Sequence, residues 1–101
     1  METLTNVHPG EILKLDFLEP LGITPYRIAK DIGVPQTRIS QIVRGIRPIT
    51  LDTAVRLARY FGTTVQFWLN LQTHFDLEEL RLGDMAPYEL IRPFKEATMA
   101  A

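Results

Sequence analysis

The chain has no cysteine among its 101 residues, which excludes disulfides, a thiolate zinc site and a cysteine nucleophile. Histidine is nearly as scarce. His8 and His74 lie far apart and neither has a ligand partner at helical spacing, so no metal site is expected. His8 stands where it helps to begin a helix. No glycine-rich phosphate loop and no Ser/His/Asp arrangement is present, and the carboxylates are scattered. Neither catalysis nor a cofactor is expected. No apolar run reaches bilayer-spanning length, and "METLTNVHPGE" lacks the charged and apolar regions of a signal peptide. The expectation is a cytoplasmic protein with no membrane partner. Low-complexity segments and internal repeats are also missing, and the length suits one domain.

Strand signals are absent too: no alternating run is bounded by hairpin turns. What is present is dense helix punctuation, and the expected fold is all-α with five helices. The first runs from about Pro9 to Leu18, with Pro9 at its first position and Glu11 in its first turn, and is expected to end at Pro20 and Gly22. Thr24 caps a second that has Pro25 at its first position and stops at Gly33. The third is expected to place Pro35 at its first position and to stop at Gly45. Thr50 caps a fourth, Leu51 to Phe61, closed by Gly62, and Thr64 caps a fifth from about Val65 to Arg81, closed by Gly83. The domain is expected over residues 1–83, with a partly ordered tail at 84–101.

The second and third helices are separated by only Gly33 and Val34, so the chain must turn sharply. Ile28, Ala29 and Ile32 form the inward face of one, and Ile39, Ile42 and Val43 that of the other. Ala29 is small enough to let the two cross closely. Residues 24–45 thus have the pattern of a helix-turn-helix.

Charge is uninformative in total, at −1, but not in distribution. Residues 24–59 hold seven basic groups and two acidic ones, a local +5, while the remainder carries −6. Such asymmetry suits a polyanion on one surface and a basic partner on another. At 100° per residue, Thr37, Ser40, Gln41 and Arg44 fall on the side of the third helix opposite its isoleucines, with Gln36 at its N-terminal end. A merely solvated face would hold Glu and Lys in ion pairs. This one holds amides, hydroxyls and arginines, with no carboxylate between Pro35 and Arg47. Amides suit base edges, and arginine suits guanine or phosphate. Gln36, Thr37 and Gln41 are the candidate base readers, and Ser40 and Arg44 contact base or phosphate. Arg47, in the connector, is the leading phosphate anchor, with Arg38, Arg27 and Lys30 as further candidates. Asp52 and Arg56 form an i, i+4 pair on the fourth helix, and the favoured reading there is a solvated face.

"TPYRIAKDIGVPQTRISQIVRG" resembles the helix-turn-helix of the XRE/Cro-C1 regulators. The longer set "HPGEIL", "GVPQTRISQIVRGIRPIT", "DTAVRLARYFG" and "FWLNLQTHFDLEEL" resembles HigA-type antitoxins, the group that includes virulence-associated protein I. The resemblance covers roughly residues 7–80. It implies a lambda-repressor-like domain, a dimeric repressor of its own operon, and neutralisation of a HigB-like mRNA-cleaving toxin that is small and basic. By position, Gln36, Thr37 and Gln41 match base-reading residues of related repressors. A stand-alone regulator without a toxin, or an interaction module without DNA binding, is the alternative.

The fifth helix carries Phe67, Trp68, Leu71, Phe75 and Leu82 on one arc, extended by Val65, Leu69 and Leu80. That sector is about twice the width one core-facing helix needs, so a dimerisation helix is expected at about 64–82. A dimer would set two recognition helices one DNA turn apart, roughly 34 Å, on a palindromic operator in double-stranded DNA.

Overall fold

A computed structural model describes residues 6–95; the expectations for residues 1–5 and 96–101 lie outside them. Six helical segments follow in order, with no strand among the described residues: α1 over 9–21, α2 Pro25–Ile32, α3 Gln36–Val43, α4 Leu51–Phe61, α5 Val65–Leu82 and a short α6 Ala86–Glu89.

Threonine and histidine caps start four of these helices, α1, α2, α4 and α5. Thr24, Thr50 and Thr64 each accept a bond from the backbone N–H three residues on, and the His8 Nδ1 accepts from the Gly10 N–H at 2.9 Å. Such a cap is worth about 1 kcal/mol. Gly33 closes α2 with φ of 74°, a conformation that would strain a side chain, and so makes the sharp turn into α3.

Three expectations need correction. Pro20 does not end α1. The helix opens into π winding over Leu13–Leu18, where Glu19 N–H reaches the Lys14 carbonyl, and continues through Glu19–Leu21 to Gly22. The wider winding accommodates a residue that has no N–H to donate and a ring that crowds the preceding turn. Pro35 stands just before α3 with an extended backbone, φ −63° and ψ 144°, so Gln36 is the first helical residue. Gly83 closes α5 as expected, in an extended conformation. A sixth helix follows it, short and exposed.

The core lies where α1 to α5 converge. Leu13, Leu18, Ile28, Ala29, Ile39, Ile42, Ile49, Ala54, Leu57 and Trp68 are all buried. Trp68 is wholly enclosed, its ring tilted against Phe17 at 4.9 Å and its indole N–H donating to the Thr63 hydroxyl at 2.7 Å. Gly10 makes the closest approach of the glycines among the described residues. A Cβ there would collide with the Ile42 carbonyl oxygen and fall 2.6 Å from the carbonyl carbon, so only glycine lets α1 rest on the end of α3.

Candidate nucleic-acid interface

The third helix is held by its isoleucines. Ile39 and Ile42 are completely buried, while Gln36, Thr37 and Arg44 are exposed and Ser40 and Gln41 half-buried. The polar residues therefore form the outward face of α3. Gln36 and Thr37 occupy its first turn, and Arg44 its C-terminal end.

The connector that follows is tied down at both ends. Gly45 adopts φ of 79°, and the Ile46 N–H returns to the Gln41 carbonyl at 2.9 Å. Ile49 is buried, and its N–H donates to the Gln72 Oε1 at 2.8 Å. Between these fixed points Arg47 turns back on α3, and its Nε–H donates to the Gln41 Oε1 at 2.9 Å. The structure thus joins Gln41 and Arg47, which the sequence had assigned to separate tasks. Ser40 is less available: its hydroxyl donates to the Thr37 carbonyl at 3.2 Å.

The basic groups divide by their partners. Arg27 pairs with Asp31 at 2.9 Å, and Arg38 with Asp52 at 2.7 Å. Both were candidate phosphate anchors, and each now has an intramolecular carboxylate. Lys30, Arg44 and Arg47 are exposed without a carboxylate partner among the described residues. Hydrogen bonds from Arg38 first, and then from Arg56, hold the Asp52 carboxyl below its ordinary value. The Tyr60 hydroxyl, followed by Arg27, does the same for Asp31.

The Asp52–Arg56 pair is present at 3.0 Å, but Arg56 is more than a solvated side chain. Its Nη1 donates to the Ile32 carbonyl at 2.7 Å, satisfying an end of α2 at the turn into α3. Sequence reasoning missed this, and it missed Gln72. Both bonds span more than twenty residues, at separations of 24 and 23, beyond any helical spacing rule.

A helix-turn-helix family model matches residues 16–68, over half of the chain. The Dichelobacter nodosus virulence-associated protein I is 51% identical over 72 residues, covering 71% of this chain and 67% of that one. Antitoxin HigA-1 of Vibrio cholerae is 37% identical over 86% of this chain and 82% of its own length. The chain belongs to the HigA-type helix-turn-helix family. A structure of Pseudomonas aeruginosa antitoxin HigA with the higBA promoter is similar throughout, with a TM-score of 0.79, 37% identity, and coverage of 89% of this chain and 99% of that one. HigA-type proteins form a class of DNA-binding regulators rather than of enzymes.

The expected dimer residues on α5 separate in this HigA-type fold. Trp68 is a correction: it points into the core, is 0% exposed, and cannot meet a second chain. Position on an apolar arc does not tell which part turns inward, and here Phe17 and Phe61 enclose it. Phe75 is half-buried with its ring edge-on to His8 at 4.7 Å, and Leu71 packs on the core. Phe67 and Leu82 remain exposed. The outward apolar surface is instead concentrated further along, at Leu77, Leu80 and Leu82 and at Tyr88, Leu90 and Ile91 of the tail.

Proposed function

We propose that this chain is a dimeric, cytoplasmic repressor that binds a palindromic operator in its own promoter and acts as the antitoxin of a small, basic, HigB-like mRNA-cleaving toxin. The observation that carries the reading is the outward face of α3. Gln36 and Thr37 in its first turn and Gln41 one turn on are solvent-accessible on a helix whose isoleucines are locked in the core, and Arg44 and Arg47 follow them without carboxylate partners among the described residues. Amides and a hydroxyl supply base discrimination; Arg44, Arg47 and Lys30 hold phosphates. Arg27 and Arg38 contribute only by exchanging Asp31 and Asp52 for phosphate. The promoter present with the P. aeruginosa relative supports the same role here. The acidic remainder of the chain supports a basic partner on another surface.

The dimer forms through the C-terminal half of α5 and the tail. A radius of gyration of 17.5 Å exceeds the ~13 Å of a compact chain this long, and Leu77, Tyr88, Leu90 and Ile91 are all more than half exposed. A second copy of the chain covers them. Sedimentation of a Leu77→Lys, Leu90→Lys double variant checks this: monomers are expected where the parent sediments as a dimer, and an unchanged dimer refutes the surface.

The decisive experiment is a titration of DNA from upstream of the chain's own operon, with and without the neighbouring gene product, across salt concentration. Binding is expected to fall with a log–log slope of about −0.9 per phosphate contacted. A slope near zero, or no binding to that DNA, removes the repressor reading. Failure of a small basic ribonuclease to co-purify removes the antitoxin part and leaves a stand-alone regulator.

A further inference from the structure

We infer that Arg47 sets the base preference of Gln41, turning an amide able to read adenine into a reader of guanine. The inference rests on the proposed DNA-facing role of α3. Its basis is the bond from the Arg47 Nε–H to the Gln41 Oε1 at 2.9 Å.

The orientation of that amide is fixed by chemistry. A guanidinium has only donors, so the group of Gln41 that faces it must be the carbonyl oxygen. The Gln41 NH2 is then turned away from Arg47. A glutamine that reads adenine does so with both ends at once, its oxygen accepting from N6 and its nitrogen donating to N7. With one lone pair of its oxygen engaged by Arg47 and the amide plane turned by that bond, the oxygen is a poorer acceptor for adenine N6, and the two N–H donors are what Gln41 has left for the groove. The adjacent N7 and O6 of guanine are acceptors and match them. The neighbouring positive charge favours the same edge, since it repels the amino hydrogens of adenine or cytosine.

Arg47 is placed for this by the backbone rather than by chance. The Ile46 N–H to Gln41 carbonyl bond and the buried Ile49, held by Gln72, fix the connector on either side of it. Its two terminal NH2 groups are left over and can still bind phosphate. One residue thus serves as anchor and as positioning residue for a reader. Gln36, on the same face, makes no such bond among the described residues and keeps both ends of its amide. It is an internal control.

The test is a selection from a randomised duplex library with the full chain and with Gln41→Ala, Gln36→Ala and Arg47→Ala. All three changes are at surface-accessible positions outside the buried core. The position whose information disappears in Gln41→Ala is the one Gln41 reads, and the full chain is expected to select guanine there. In Arg47→Ala the ratio of adenine to guanine at that position is expected to rise about fivefold or more, the lower end of what one bidentate contact discriminates. The position lost in Gln36→Ala is expected to keep its ratio. Adenine at the Gln41 position in the full chain, or an unchanged ratio in Arg47→Ala with only weaker binding overall, overturns the inference. If Gln41→Ala alters no position, the base-reading role of Gln41 itself is wrong, which is a different failure and overturns both.

Discussion

Gly10→Ala is the sharpest test of how the recognition helix is held. The added methyl carbon would sit 2.6 Å from the Ile42 carbonyl carbon and 3.1 Å from the His8 Nδ1, besides overlapping the carbonyl oxygen. Carbon atoms pack at about 3.5–4.0 Å, so the carbonyl carbon alone requires α1 and α3 to part by roughly 1 Å, and the overlapping oxygen requires more. The obstacle is backbone at a buried crossing, and no side chain can swing aside. Overpacking of this kind costs about 3 kcal/mol, the upper part of its usual range. Alanine recovers at most about 1 kcal/mol through its better helix propensity. The net loss is therefore about 2 kcal/mol, which for a domain of this size lowers the Tm by roughly 8–16 °C. Thermal unfolding followed by circular dichroism measures it, with Glu11→Ala, an exposed neighbour, as a control expected to stay near the parent. A Tm for Gly10→Ala within about 2 °C of the parent refutes the close approach of α1 to α3.

The other predictions concern polar ties. Gln72→Ala leaves the buried Ile49 N–H without its acceptor, at a cost of about 1–3 kcal/mol; denaturant unfolding with no loss of stability would sink the assignment. Burial holds the His8 pKa below its ordinary 6.5, against the opposing charges of Asp76 and Glu11. A depressed histidine contributes stability that is complete above 6.5 and declines as pH falls below it, because the unfolded chain takes up the proton first. His8→Asn keeps a capping side chain without the titration, and its stability is expected to be flatter between pH 7.5 and 5.5; parallel curves for the two proteins would contradict this. Asp52 and Asp31, whose folded values are lowered by their donors, contribute stability that is present above their ordinary 3.8 and is lost as pH falls below it. Asp52→Asn removes the partner of Arg38; if the freed guanidinium takes a phosphate, the salt slope of operator binding steepens by about 0.9, and an unaltered slope keeps Arg38 off the DNA.

Local chemistry made most of the fold legible. Threonine at 24, 50 and 64 followed by an apolar period, with glycine at 22, 33 and 62, is enough to bound α2, α4 and the start of α5, and the observed caps and positive φ values agree. The polar face of α3 was legible for the same reason, since helical spacing alone separates Ile39 and Ile42 from Gln41 and Arg44. Pro20 misled because proline ends a regular helix, whereas this one loosens into π winding ahead of it. Trp68 misled because α5 is apolar on most of its circumference, so spacing gave no preferred inward side. Phe17 and Phe61, brought in by α1 and α4, and the Thr63 hydroxyl meet Trp68 on the core side, and none of them follows from the spacing of α5.

What spacing does not reveal is how the recognition helix is clamped. Three ties reach it or its flanks from distant parts of the chain. Gly10 of α1 meets the Ile42 carbonyl at its C-terminal end. From α4, Arg56 bonds to the Ile32 carbonyl just before the turn that precedes it. Gln72 of α5 bonds to the Ile49 N–H in the connector that follows it. Each uses a backbone atom as partner, so the partner's residue type leaves no trace in the sequence. The last tie also has a consequence for binding. It runs from α5 to the connector bearing Arg47, and Arg47 in turn holds the Gln41 amide. A change in how α5 packs can therefore reach the outward face of α3 through Gln72. If that route operates, Gln72→Ala changes the selected base at the Gln41 position as Arg47→Ala does, and a library selection in which only affinity falls would exclude it.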